Sequence, residues 1–407
     1  MTTAKIFGVI EGFYGTPWSH ADRLACIDLM EQWGWNTYVW AAKLEPRHRA
    51  EWNTPFTAEE LEQFSELSRR RPSVTCAVGL TPGDGATPED VVRKLEPAVR
   101  AGCAAVVLCF DDLPVLHAAQ NHQLLAHAVL HAFSVPVWIV PTHYAGVNSS
   151  GYLTALCDGL NADIEVMWTG DTVVTDAITA EHANARATAT GGRAPLVWDN
   201  TPVNDARMRG HLHLGPLMGR DPQLLSVCSG FLWNPMEEFS ASLPTLVSAA
   251  AWSHGNDPGE AWSTYVDTHG LRLLAEATAY RTDQHWPGEQ PSRKWWQSVA
   301  DMVVDDAQLT PWVQAAQEGA SIALAALSVI EPDHQLTQHE QNRALFQLMG
   351  WGAHRARAHK TFGAGPRTRP IATQDTNGRF ALSASSISES TSLVDTLVRT
   401  ALTRLQG

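Results

Sequence analysis

The 407-residue chain is short of basic charge: 29 lysines and arginines stand against 43 acids, a formal net charge of −14, and no basic run stands out. Phosphate backbones are therefore poor partners, and no nucleic-acid function is expected. Cysteine is sparse. The six thiols (Cys26, Cys76, Cys103, Cys109, Cys157, Cys228) are scattered through apolar segments without metal-ligand spacing, which reads as buried thiols of a reducing, cytoplasmic compartment. No uninterrupted apolar run approaches the roughly 18 residues of a membrane span. Met1–Thr2–Thr3–Ala4–Lys5 leads directly into a strand pattern without a secretory apolar region. A glycine-rich phosphate loop is also missing, since Gly12–Phe13–Tyr14–Gly15 lacks the spacing. Neither a membrane partner nor a metal is expected.

What is present is regular. Hydrophobic content of 44% and charged content of 18% are those of an ordinary globular protein, with 16 tryptophans the one excess. Strand and helix patterns alternate: strands at 6–15, 36–42, 74–80, 104–110, 135–140, 164–168, 195–198 and 230–233, with helices at 18–35, 57–70, 88–101, 122–132, 151–160, 175–188 and 243–253. Ser19 and Thr87 are plausible helix caps, the latter followed by Pro88 at the first helical position. Eight βα units over about 255 residues is the rhythm of a (β/α)8 TIM barrel, with a doubly wound open sheet as the runner-up. The expected fold class is thus α/β: a barrel at residues 1–256, then a smaller all-helical domain at 257–407. The stretch Gly363–Ser392, rich in Gly, Thr and Ser, reads as a long flexible loop within the second domain.

The centre of the pattern is Val106–Val107–Leu108–Cys109–Phe110–Asp111–Asp112–Leu113–Pro114. An unalternating apolar run reads as a strand buried on both faces, and Pro114 forbids its continuation. Catalytic groups of α/β barrels come from strand C-termini. Those positions hold Glu11–Gly12–Phe13–Tyr14, Lys43, Asp111–Asp112, His143–Tyr144, Trp168–Thr169, Trp198–Asp199–Asn200 and Trp233–Asn234. An acid pair, one cation, short polar groups and aromatic platforms suit the binding and cleavage of a sugar. Two adjacent carboxylates should not both ionise easily, so one pKa is expected to rise. On a regular strand only one of the two could enter the site, so the backbone must turn at the pair. His127 and His131 lie four apart on a helix, but no third ligand accompanies them; His211 and His213 follow no clear strand. Neither pair is expected to hold a metal.

Together these motifs resemble glycoside hydrolase family 84, the O-GlcNAcases and related β-N-acetylglucosaminidases. Gly8–Val9–Ile10–Glu11–Gly12–Phe13–Tyr14–Gly15–Thr16–Pro17–Trp18 is similar to the family's opening motif. Further matches follow in order: Asn36–Thr37–Tyr38 leading to Lys43 and His48–Arg49, Phe110–Asp111–Asp112, Pro141–Thr142 with Tyr144, Trp168–Thr169–Gly170, Trp198–Asp199–Asn200, Asn204–Asp205, Leu214–Gly215–Pro216–Leu217 with Gly219–Arg220, and Asn234–Pro235. The resemblance implies a retaining exo-β-N-acetylglucosaminidase in which the substrate's own acetamido oxygen attacks C1. Asp111 would orient the acetamido N–H, Asp112 would be the general acid and then base, and Tyr144 would support the acetamido oxygen. Gly12, Lys43, Asn200, Asp205 and Asn234 would hold the sugar, with Trp198 beside the pocket. The implied partner is a glycoconjugate or glycoprotein carrying N-acetylglucosamine. A hexosaminidase acting on free oligosaccharides and an inactive carbohydrate-binding barrel are the alternatives. Ala42, Leu44–Glu45 and His143 depart from the family pattern and are expected to rim the pocket.

Overall fold

The computed structural model describes residues 5–113, 119–210, 212–279, 291–357, 372–382 and 393–406; Pro114 and His211 lie outside them. Strands β1 (Ile6–Glu11), β2 (Thr37–Trp40), β3 (Thr75–Leu80), β4 (Ala105–Cys109), β5 (Val137–Val140), β6 (Ile164–Trp168), β7 (Leu196–Asp199) and β8 (Gly230–Trp233) close into a barrel in chain order. Every junction is parallel, from Val9 opposite Trp233 on one side of β1 to Glu11 opposite Trp40 on the other. Helices α1 (His20–Gln32), α2 (Ala58–Arg70), α3 (Pro88–Arg100), α4 (Ala119–Ala132), α5 (Gly151–Cys157), α6 (Ala180–Ala189), α7 (Leu224–Val227) and α8 (Phe239–Ser253) alternate with them. The chain is a (β/α)8 barrel followed by a mainly helical region. Local chemistry sets the helix starts: Ser19 with Asp22 and Thr57 with Glu60 form reciprocal capping boxes, and Thr87 caps α3 ahead of Pro88.

The barrel has two apolar layers, and β4 feeds both. Ala105, Val107 and Cys109 pack inside the barrel with Ile10, Val39, Ala41, Val140, Met167, Leu196, Trp198 and Leu232. Val106, Leu108 and Phe110 pack outward, between sheet and helices. Alternation along each strand therefore decides which side chains can enter the mouth.

Beyond the barrel lie α9 (Pro258–Thr268), α10 (Arg272–Ala279), α11 (Arg293–Ala300), α12 (Thr310–Ile330), α13 (Gln338–Arg357) and α14 (Leu393–Gln406). Their core, around Trp296, Trp312, Ala316 and Ala320, also takes in Leu212, Leu214 and Met236 from the barrel side. By length and composition α12, 21 residues, is long and apolar enough to cross a membrane. No such run was evident in the sequence because Gln314, Gln317, Glu318 and Ser321 interrupt it. Its Trp312, Ala316, Ala320, Ala323 and Leu327 are buried in the helical core.

One expectation fails here. The stretch read as a loop contains an antiparallel hairpin, β9 (Ala372–Gln374) and β10 (Phe380–Leu382). Its turn is fastened by Asp375, whose Oδ1 accepts from Asn377 N (2.8 Å) and Arg379 N (2.9 Å). Gly378 takes φ 77° there, a conformation that favours glycine. Asn377–Gly378 is a hairpin signal hidden by the low-complexity composition around it.

Candidate active site

The inward phase of the strands runs on past their C-terminal ends and selects the site. Gly12 follows Ile10 by two residues, Lys43 follows Ala41, Asp111 follows Cys109, Asn200 follows Trp198, and Asn234 follows Leu232. Tyr144 is four residues beyond Val140. All of these, with Trp198, Asp112 and Asp205, line one cavity of about 330 Å³ at the barrel mouth. The nine residues to which the family resemblance gives catalytic or sugar-binding roles, or a place beside the pocket, are thus brought together. Asp112 is out of phase. It reaches the same cavity because its own φ is +53°, a left-handed conformation that breaks the alternation directly after Asp111.

The two carboxylates have different surroundings. Asp111 is buried, with Oδ2 2.7 Å from Lys43 Nζ and 3.7 Å from Arg49 Nη1. Burial pushes its pKa up, but the charges of Lys43 and Arg49 outweigh that and hold the carboxyl below its ordinary value. The expected repulsion between neighbours is not what governs this residue. Burial opposes the Lys43 charge in turn, and Asp111 lifts its pKa above the usual lysine value. Nearby His48 is pushed down to about 3 by burial and by Lys43, so it stays neutral. Asp111 Oδ1 is buried and has no hydrogen-bond partner among the described residues. It is a carboxylate acceptor without a donor, which a buried polar atom rarely is.

Asp112 lies exposed at the mouth, between two phenols. Tyr14 donates to Oδ2 and Tyr144 to Oδ1, each at 2.9 Å. Burial, and then the Asp112 charge, raise both tyrosine pKa values, so both remain donors at ordinary pH. Arg49 Nη2 donates to the backbone carbonyls of Asp111 (3.4 Å) and Asp112 (3.1 Å), tying down the turn. Elsewhere on the cavity wall, Gly12 N donates to Asn234 Oδ1 at 3.1 Å, and Asn234 Nδ2 donates to Asn200 Oδ1 at 2.8 Å. Trp198 Nε1 donates to the same Asn200 oxygen at 2.9 Å, and Asn200 Nδ2 donates to Val173 O at 2.7 Å. Lys43 Nζ also sits 5.0 Å from the Trp198 ring centroid. Gly12 makes this wall possible, because a Cβ there would lie 2.2 Å from Trp198 Cζ2. Asp205 accepts from Tyr14 N at 2.8 Å, and burial raises its pKa.

Strand phase also removes candidates. Glu11 turns outward, where its carboxylate accepts from Arg23 Nε (2.9 Å), Arg23 Nη2 (2.9 Å), Trp18 N (3.0 Å) and the Tyr38 hydroxyl. Asp199 is clamped by Arg220 through Nε (2.7 Å) and Nη2 (2.6 Å). The residues expected to rim the pocket do not line it: His143 and Ala42 are buried, Glu45 pairs with Arg23 at 2.6 Å, and only Leu44 is well exposed. His127 Nε2 accepts from Asn161 N, and His213 is buried against the carbonyls of Pro202 and Val203. Sequence reasoning did not assign the Tyr14 hydroxyl or Arg49 to the site, although both sit in motifs it singled out. It also missed the hairpin, whose Ala372 and Phe380 line the cavity.

A closed parallel barrel with paired acids, amides and aromatic rings at its C-terminal mouth is the architecture of the (β/α)8 glycoside hydrolases. A family model described as beta-N-acetylglucosaminidase matches residues 7–279, and the chain belongs to that family. It is 32% identical over 278 residues to the Protein O-GlcNAcase of Rattus norvegicus and equally to that of Mus musculus, which covers 62% of this chain and 30% of each relative. The match thus spans about a third of the length of these curated relatives. Among solved structures, a mutant of the Thermobaculum terrenum O-GlcNAc hydrolase superposes with a TM-score of 0.76 at 21% identity, covering 98% of this chain and 93% of that one. The likeness in fold thus reaches beyond the residues matched by the family model.

Proposed function

We propose that the protein is a retaining exo-β-N-acetylglucosaminidase that works by substrate assistance, with O-GlcNAc on protein serine or threonine among its substrates. The observation that carries the reading is Asp111, a cavity-lining carboxylate held ionised by Lys43 and Arg49, whose buried Oδ1 has no hydrogen-bond partner among the described residues. Such an oxygen suits the acetamido N–H of a bound sugar. Accepting that hydrogen bond would turn the acetamido oxygen toward C1 and stabilise the positive charge that grows as the oxazoline forms. Asp112, exposed and hydrogen-bonded by two phenols, suits the proton transfers. As an acid it protonates the departing glycosidic oxygen. As a base it then takes a proton from the water that attacks C1 and reopens the ring, giving net retention. Tyr144, which donates to Asp112 here, would exchange that bond for one to the acetamido oxygen when the sugar enters. Because one reacting group belongs to the substrate, much of its entropic cost is met on binding.

The test is hydrolysis of aryl β-N-acetylglucosaminides by the wild type, Asp111→Asn and Asp112→Asn. A leaving group of low pKa should restore Asp112→Asn far more than Asp111→Asn, because such a group needs no proton. Equal restoration would refute the assignment of roles. Absence of wild-type turnover across pH would refute the enzymatic reading, and resistance to thiazoline mimics of the bicyclic intermediate would refute substrate assistance.

A further inference from the structure

We propose that the Ala372–Leu382 hairpin forms the leaving-group side of the pocket and that Phe380 is a specificity-determining residue for leaving groups with an apolar face. The inference rests on the functional reading above and deepens it. The hairpin belongs to no barrel unit, yet it is fastened to the mouth at three points. Val173 N donates to Ala372 O at 2.9 Å, Gln374 Nε2 donates to Thr142 O at 2.8 Å, and Ala145 N donates to Gln374 Oε1 at 3.3 Å. It is therefore hydrogen-bonded to the loops after both β5 and β6. Through this frame the Phe380 ring comes to 5.8 Å from the ring of Tyr144, whose hydroxyl holds Asp112.

Depth separates the two ends of the cavity. Lys43, Asp111 and Asn234 are 3–5% exposed, whereas Phe380 is 46% exposed and still lines the same space. The polar, buried end suits the sugar ring. Phe380 stands at the open end, on the side of the carboxylate assigned to protonate the departing oxygen, which is where a leaving group emerges. A large exposed aromatic ring there has no role in holding sugar hydroxyls, and it offers a π-face to an aromatic or aliphatic surface.

The experiment compares benzyl and methyl β-N-acetylglucosaminides, whose alcohols have nearly equal acidity, so that only the ring differs. In Phe380→Ala, kcat/KM for the benzyl glycoside should fall about three- to tenfold, the factor expected of one aromatic contact. The methyl glycoside should change by less than about twofold, and Phe380→Tyr should restore the benzyl preference. Gln374→Ala removes the anchor and should cost the same selectivity without touching Phe380 itself. An equal fall for both glycosides would overturn the proposal and make Phe380 a prop for Tyr144. Unchanged rates for both would overturn it as well. If wild type cleaves neither glycoside, the functional reading falls and this inference with it.

Discussion

The Lys43–Asp111 pair sets the charge on which the proposed chemistry depends, so Lys43→Met is the sharpest perturbation. Met fills similar volume and removes only the cation. At 2.7 Å and an effective dielectric of 20, the gross attraction is ~6 kcal/mol. Desolvation of both groups offsets part of it, and breaking a buried pair costs about 3–5 kcal/mol in practice. Arg49, 3.7 Å from the same oxygen, remains, so a loss near the lower end, ~3 kcal/mol, is expected. The pH dependence tests the cause. In the wild type the folded Asp111 pKa is depressed, so its contribution is present above the unfolded value of about 4 and is lost as pH falls through the folded value. Without Lys43, burial is opposed chiefly by Arg49, and the folded pKa is expected to rise above the unfolded one. The variant then loses stability as pH rises through that window. The melting-temperature gap between the two proteins should therefore narrow on acidification from neutral pH. In rate assays, kcat/KM at neutral pH should fall by about 100-fold, and the acid limb should move to higher pH. A gap of constant size between about pH 4 and 7 would refute the claim that Lys43 sets the ionisation of Asp111.

Gly12→Ala would place a methyl group 2.2 Å from Trp198 Cζ2 and push the indole away from Asn200. A rise in KM of about tenfold or more, with ~1–3 kcal/mol lost in stability, is expected from steady-state kinetics and urea unfolding; an unchanged KM would contradict the wall described. Glu11→Gln, despite its place at the end of β1, should lower stability by about 3–5 kcal/mol while leaving KM intact below the melting transition. A KM shift there would argue that Glu11 acts on substrate rather than on Arg23 and Tyr38.

The fold was legible because the barrel strands carry their own punctuation. Ile164–Trp168 and Gly230–Trp233 begin and end where the sequence pattern places them, and α1 begins after Ser19 as its cap demands. The site was legible for the same reason: two-residue periodicity continues past each strand, so Ala41 leads to Lys43 and Leu232 to Asn234. The hairpin was not. Three-residue strands give too little periodicity to rise above a Gly/Thr/Ser-rich background, and the Asn377–Gly378 turn carried the only signal. The partners of Asp111 were hidden for another reason. Repulsion between sequence neighbours can be read from the chain, but attraction to Lys43 and Arg49, brought from elsewhere by the barrel, needs the fold.

The adjacent carboxylates reach one cavity only because the backbone departs from strand geometry at Asp112, and that departure has an energy. A non-glycine residue at φ +53° carries ~1–2 kcal/mol of strain, least for Asp and Asn, whose short polar side chains bond locally. Replacements at this position should therefore differ in stability even though all lack the proposed acid. Asp112→Asn keeps both the tolerance for this conformation and an acceptor for one phenol. Asp112→Ala loses both and should be about 1–2 kcal/mol less stable than Asn. Asp112→Gly separates the two losses, because it has no acceptor but adopts positive φ freely. Chemical unfolding of the three variants should find Gly recovering most of the difference between Ala and Asn. If Gly is no more stable than Ala, the tyrosine hydrogen bonds and not the backbone carry the difference. The turn that gives two neighbouring residues separate roles would then be held by its side chains alone.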